Sequence, residues 1–320
     1  MSRTTLRYLG RRLAYLLFIM LAVTALTTSL SRLLPGDVAT AILGNEATPE
    51  NVAALRAKLG LDQPLHQQYW RWVSGVFTGD FGDSHRTGEP VMSAIKDRLP
   101  VTLEIVLVAQ VLALAIGVSL GVLSAAKRDT WVDRVVTGGA FATLSLPGYL
   151  VAIGLIYVFA VWLGVLPAGG YVPFEEDPWG HVRCLVLPIL TLALVEWPVF
   201  TRTLRSDMIT TLREDFILMA RAKGLSARRI LFLHALKPSS LALITIVGLT
   251  LGRLVGGALV LEVIFSLPGI GQMIVDAILT RDFITLQGGV VFVTLGFLLV
   301  NFAVDMLYGV LDPRIRHASV

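Results

Sequence analysis

Apolar positions in this chain come in runs too long and too continuous for the amphipathic helices of a water-soluble core. Six stretches stand out, at about 9–33, 101–126, 135–165, 185–203, 240–265 and 288–311. Each is long enough to carry a helix across roughly 30 Å of hydrocarbon. Lipid offers no water to unpaired backbone groups, and these runs far exceed the roughly ten residues of a barrel strand, so the pattern predicts helices. The expected architecture is an all-α polytopic membrane protein with six transmembrane helices in a single domain, residues 1–320.

The polar intervals carry their own punctuation. In the long segment of about 34–99, Thr48 is an N-cap, Pro49 fits the first helical position and Gly60 closes a helix through Ala53–Leu59. A second helix is predicted from Pro64, with Leu65, Tyr69, Trp72, Val73, Val76 and Phe77 on one face, broken by Gly79-Asp80-Phe81-Gly82. A third short helix, at about 90–98, leads into the second long run. Together they predict a small helical cap on the membrane surface, its apolar stripe packed on the bundle. Ser145-Leu146-Pro147-Gly148 interrupts the third run near its middle. Such a break lines a pathway or is a packing kink, and the residues alone favour neither.

The interval of about 204–237 is the longest between the later runs. Residues 207–222 read as one helix whose Met208, Leu212, Phe216 and Met219 form a narrow apolar stripe, with Arg213, Glu214, Asp215 and Arg221 off it. Gly224 is placed to take positive φ and turn the chain, and Ser226 to cap a second short helix through 227–230 that ends near Pro238. A stiff helix, a glycine elbow and a second helix suit docking of a soluble protein partner; the same basic and apolar residues also suit an interfacial helix on membrane lipid.

Composition agrees with the pattern. Of 320 residues, 55% are hydrophobic and 16% charged, and the mean hydropathy is +0.72. The net charge of +4 is a topology signal rather than a nucleic-acid footprint. Most of the 27 lysines and arginines fall in the N-terminal arm, residues 127–134, residues 202–237 and the C-terminal tail, whereas 166–184 and 266–287 carry only Arg183 and Arg281. Segment 32–99 balances seven basic residues against eight acidic ones. Both termini are therefore expected in the cytoplasm, the first run acting as a retained signal anchor. The single cysteine, Cys184, reads as a small apolar residue at a helix entrance and cannot form an internal disulfide.

Soluble-enzyme chemistry is missing from the sequence. It has no phosphate-cradling Gly-x-x-x-x-Gly-Lys-Ser/Thr, no dinucleotide fingerprint, no His-Glu-x-x-His and no nucleophile constellation. The five histidines (His66, His85, His181, His234, His317) are scattered and read as surface or interface residues. The chain is expected to be catalytically silent, with no bound metal or cofactor and no nucleic-acid partner. Charges within runs need a protein-facing or cavity-facing environment. Glu196, Arg253 and Glu262 are the deepest, with Glu104 and Asp305 nearer run ends. Arg253 and Glu262 either lie along a translocation path or make structural ion pairs and hydrogen bonds.

Ala220-Arg221-Ala222-Lys223-Gly224-Leu225 resembles the conserved cytoplasmic loop of binding-protein-dependent ABC importer permeases, in the version of the dipeptide/oligopeptide/nickel family. The likeness continues through Pro35-Gly36-Asp37, Leu59–Leu65, Gly79–Gly82, Pro90-Val91, Arg98–Leu103, Gly257, Glu262, Ile264-Phe265, Pro268–Gly271, Arg281-Asp282, Asn301, Asp305, Tyr308 and Leu311–Arg314. The glutamate that names the loop is replaced by Leu218, the next alanine by Met219, and Lys237-Pro238-Ser239 stands where the family has Arg-Asn-Ala.

The resemblance implies a type I ABC importer permease fold in a bacterial cytoplasmic membrane. Phe216, Met219, Ala220, Arg221, Ala222, Lys223, Gly224 and Leu225 would form the coupling helix and its elbow. The implied partners are a homologous second permease, two ATP-binding subunits or one fused ATPase carrying ATP and magnesium, and an extracytoplasmic solute-binding protein. Peptides are the expected cargo, with nickel chelates, glutathione or oligosaccharides as alternatives. The rival reading is an ion-coupled secondary transporter using the buried carboxylates as proton relays, against which stand the few deep charges and the lack of a visible inverted repeat.

Overall fold

A computed structural model describes residues 3–33, 38–44 and 47–311; no strand occurs among them, only an isolated bridge between Asp83 and Pro90. The elements are α1 (Arg3–Leu33), α2 (Val38–Leu43), α3 (Pro49–Leu59), α4 (Leu65–Phe77), α5 (Val91–Ala126), α6 (Trp131–Leu144), α7 (Gly148–Leu155), α8 (Pro178–Thr211), α9 (Asp215–Ala222), α10 (Ala227–Arg229), α11 (Leu236–Ile264), α12 (Ile270–Leu279) and α13 (Phe283–Leu311). A π-helical turn, Ile156–Trp162, extends α7, and another, Ile230–Ala235, joins α10 to α11. The motif residues Leu34–Asp37 and Asp312–Arg314, His317, and the side chains of Asp305 and Tyr308 lie outside what is described.

Among the described residues, four helical stretches are long and apolar enough to cross a membrane: Val91–Ala126, Pro178–Thr211, Ala227–Ile264 and Phe283–Val304. A fifth is the pair Trp131–Leu144 and Gly148–Trp162, bent by 103°. The break falls at the expected Ser145–Pro147, where proline cannot donate to the helical ladder. The first expected run lies in α1, whose apolar part, Ala14–Ser29, is shorter than the others.

The chain forms two compact units. Of the described residues, those within 1–101 and 268–298 form one, and those within 102–267 and 299–311 the other. In the first, Thr48 caps α3 by accepting the Asn51 amide, Pro49 starts the helix and Gly60 ends it at φ +68°, all as the local sequence dictates. The face predicted on α4 packs only in part. Val73 is buried and the Tyr69 hydroxyl meets Thr24 Oγ1 of α1 at 2.9 Å, whereas Phe77 and Leu65 are exposed. The expected short helix at 90–98 is not separate: it is the first part of α5, which runs on through Pro100.

In the second unit α8 is the central element, packed against α6, α7 and α11. Its Phe200, Leu204 and Met208 are fully buried among Ala113, Val122 and Ala125 of α5 and Leu243 of α11. Gly117 permits the close approach of α5: a Cβ there would stand 2.5 Å from Phe200 Cβ.

Two local expectations are corrected. The single helix over 207–222 is broken after Thr211 by a tight turn, Leu212–Glu214, and α9 starts afresh. The gain is burial: the turn folds Ile217 and Ala220 against Ile230, contacts absent from a straight continuation. Pro238 does not end a helix either. It sits in the first turn of α11, where its missing N–H costs no helical bond, directly after the π turn that shifts the register.

Candidate functional site

The eight residues of α9 have two unlike sides. Ile217 and Ala220 are buried with Ile230, flanked by Leu212 and Leu225. Phe216, Leu218 and Met219 are exposed, as are Arg221, Ala222, Lys223 and Gly224. The expected stripe of Met208, Leu212, Phe216 and Met219 is therefore divided: Met208 is a buried core residue of α8, and Phe216 and Met219 form part of a bare apolar ridge. The turn at Leu212–Glu214 resets the helical phase, which a periodicity count across it cannot register.

Gly224 closes α9 in a Schellman motif. Leu225 N–H reaches Ala220 O at 3.2 Å and Gly224 N–H reaches Arg221 O at 2.9 Å, with Gly224 at φ +76°. That conformation strains any residue carrying a Cβ, which explains the glycine. Ser226 occupies the N-cap position of α10 in extended geometry, without the expected side-chain hydrogen bond.

The base from which α9 projects is held by charge as well as packing. Asp133, in the first turn of α6, accepts two hydrogen bonds from Arg205 of α8, Nε to Oδ1 and Nη2 to Oδ2, both 2.7 Å. Ser124 of α5 also donates to Asp133, and Arg205 Nε approaches Ser124 Oγ at 3.1 Å. The Asp129 amide supplies a further donor to Asp133 Oδ2 at 3.0 Å. Six residues beyond Arg205, the Thr211 hydroxyl meets Ser239 of α11 at 3.1 Å. Sequence reading missed this cluster because Asp133 and Arg205 each look like ordinary loop-flanking charges. Their separation of 72 positions hides the pairing.

The deep charges pair differently from their order in sequence. Arg253 of α11 donates from Nη2 to Glu196 Oε2 of α8 at 2.7 Å, and does not partner Glu262. Glu262 is fully buried and accepts the Thr102 hydroxyl at 2.6 Å. His181 is a correction. It is buried rather than on the surface, with Nδ1 2.8 Å from Val172 O and Nε2 2.9 Å from Glu104 Oε1, and Tyr171 and Phe174 edge-on to its ring. The cause is the N-terminal turn of α8, capped by Asp177, which directs the ring beneath the loop before it. Cys184 is buried one turn further on, its thiol against His181 O at 3.1 Å. Among the described residues no group of three His, Cys, Asp or Glu side chains is arranged to hold a metal ion.

The described residues are mostly helical, with several helices long and apolar enough to cross a membrane and the short two-sided α9 following α8. Residues 117–317 match the family described as binding-protein-dependent transport system inner membrane component, and residues 5–106 match its N-terminal companion. The chain belongs to that family and is a permease subunit of the ABC importer class. A putative peptide transport system permease protein of Brucella abortus (strain 2308) is 40% identical over 96% of this chain and 98% of its own length. The dipeptide transport system permease protein DppB of Escherichia coli K12 is 36% identical over 98% and 99%. The glutathione transport system permease protein GsiC of Salmonella paratyphi A is 37% identical over 98% and 99%. Among solved structures, the MetNI methionine ABC transporter in inward-facing conformations aligns with a TM-score of 0.59 at 19% identity, covering 70% of this chain and 99% of that one, a likeness of fold.

Proposed function

We propose that this permease forms half of the path by which peptides enter the cell, and that α9 is the element through which ATP-binding subunits drive it. The observation that carries the second part is the bare ridge of Phe216, Leu218 and Met219 on a helix whose other side is anchored by Ile217 and Ala220. Apolar side chains held proud of a rigid, rimmed element suit a groove on a protein partner. Arg221 and Lys223 lie at the end of the same helix and are free to meet acidic groups at a groove's edge. Peptide cargo is supported by the relatives, which are named for peptides, a dipeptide and glutathione, all amide-linked chains.

In this reading α9 faces the cytoplasm, as do both termini, and α4 with its neighbours faces outward toward a solute-binding protein. The path forms against a homologous second permease. ATP and magnesium belong to the partner subunits, and this chain holds no catalytic group. Movement of a docked ATPase would pull on α9, whose base the Asp133–Arg205 pair ties to α5, α6 and α8; the motion delivered is a rigid-body displacement of helices. Arg253 and its partner Glu196 border the path.

The test is purification from native membranes in mild detergent with partners identified by mass spectrometry, followed by uptake in proteoliposomes. Co-recovery of a second permease, ATP-binding subunits and a solute-binding protein, with peptide uptake that needs ATP and persists when the proton gradient is collapsed, is the expected outcome. Uptake by this chain alone that stops on collapsing the gradient would instead establish the ion-coupled transporter.

A further inference from the structure

We infer that Arg253 is a carboxylate-binding residue of the translocation path, oriented by Glu196; the inference rests on the reading of this chain as a peptide permease. Arg253 lies eleven residues before the end of α11 at Ile264, about 16 Å along a helix apolar enough to span a membrane. A guanidinium at such depth does not face lipid; it is met by protein or by water. Here the covering is one-sided. Glu196 has a side-chain exposure of 4%, while 61% of the Arg253 side chain is open. Nη2 is held at 2.7 Å by Glu196, and among the described residues no other partner meets Nε or Nη1. Leaving the guanidinium side open spares its desolvation cost and keeps its outward donors available to a further anion.

The remaining donors form the planar fork that matches a carboxylate. Each free peptide ends in that group. Glu196 fixes the fork and offsets part of its charge, leaving the open edge positive while keeping the hold on a passing anion weak enough for release, as conduction requires. The same side of α11 is open beside Arg253. Leu249 and Val260 are exposed, and no atom stands within 4 Å of a Cβ built at Gly256, one turn further on. Glu262 plays no part in this site, being enclosed with Thr102.

The experiment places a thiol at Gly256→Cys in a Cys184→Ser background and uses the assembled transporter in proteoliposomes. Modification of this chain is followed by mass shift with an anionic sulfonatoethyl and a cationic trimethylammonioethyl methanethiosulfonate, each rate normalised to free cysteine. The anionic reagent should react about tenfold faster than the cationic one, the effect of one focused charge. Arg253→Gln should abolish the preference and Arg253→Lys retain it. The dipeptide Ala-Ala should slow the anionic reaction, while its C-terminal amide should not. If both reagents react but the preference survives Arg253→Gln, or the amide protects equally, the carboxylate site is wrong and the path reading stands. If neither reagent reacts in a complex that still imports, this face is dry and both fall. Should Gly256→Cys fail to assemble, Val260→Cys, a turn onward on the same open side, serves as the target.

Discussion

The hydroxyl of Ser84 donates to the buried carboxylate of Asp282 at 2.5 Å, across 198 positions of sequence. Asp282 stands directly before α13 and also takes the Thr285 hydroxyl at 2.7 Å and the His85 amide at 3.3 Å. It is at once the cap of a membrane helix and the anchor of the loop after Gly79–Gly82. Asp282→Ala should therefore cost about 2–3 kcal/mol, a cap and a charged hydrogen bond together. Ser84→Ala should cost about 1 kcal/mol, since the other donors remain. Thermal unfolding in detergent measures both, and an Asp282→Ala protein as stable as wild type would refute the dual role.

His85 sits in the same corner. Burial lowers its pKa below the usual 6.5, and the opposing pull of Asp282 and Asp83 does not restore it. The unfolded chain thus binds more protons than the folded one between the lowered value and 6.5, so stability rises with pH there. Full stability is expected above that window and should be lost progressively as the pH falls through it. Melting curves from about pH 7.5 to about pH 5.5 should slope less in His85→Gln than in wild type; parallel slopes would remove His85 as the cause.

Breaking the Asp133–Arg205 pair should be among the most damaging single changes in the second unit. Arg205→Gln strands the buried Asp133 carboxylate, at a cost of about 3–5 kcal/mol, and Asp133→Asn, which leaves the partly exposed Arg205 unpaired, should cost less. The double variant should be less unstable than the sum of the singles, because neither charge is then stranded. Simple additivity in chemical denaturation would mean that the two residues act separately.

The two sides of α9 should separate function from folding. Phe216→Ala and Met219→Ala remove exposed atoms, so stability should hold while recovery of ATP-binding subunits weakens by about tenfold each. Ile217→Asp puts a charge into the enclosed side and should destabilise the loop itself. Normal ATPase recovery by the Phe216→Ala, Met219→Ala double variant would show that the ridge lies on lipid instead.

Local features were legible because their causes are local. Continuous apolar runs must satisfy their own backbone, so helices at 101–126, 185–203, 240–265 and 288–311 follow from composition alone. The α3 caps, the break at Ser145–Pro147 and the left-handed turn at Gly224 each arise from residues within a few positions of one another. Where two local signals met, tertiary burial chose between them: Ile217 found a pocket against Ile230 and broke the 207–222 helix, and the π turn absorbed Pro238.

What the sequence alone determined, then, is an apolar, helical membrane chain with most of its turns in place and a long polar loop after the fourth long run. Only the tertiary structure decided which polar groups meet: Asp133 with Arg205, Glu196 with Arg253, Glu104 with His181, Ser84 with Asp282. The reason is geometric. Hydrophobic periodicity fixes that a helix exists, but the rotation of each helix about its own axis, which selects the facing side chains, is set by packing against neighbours far away in sequence.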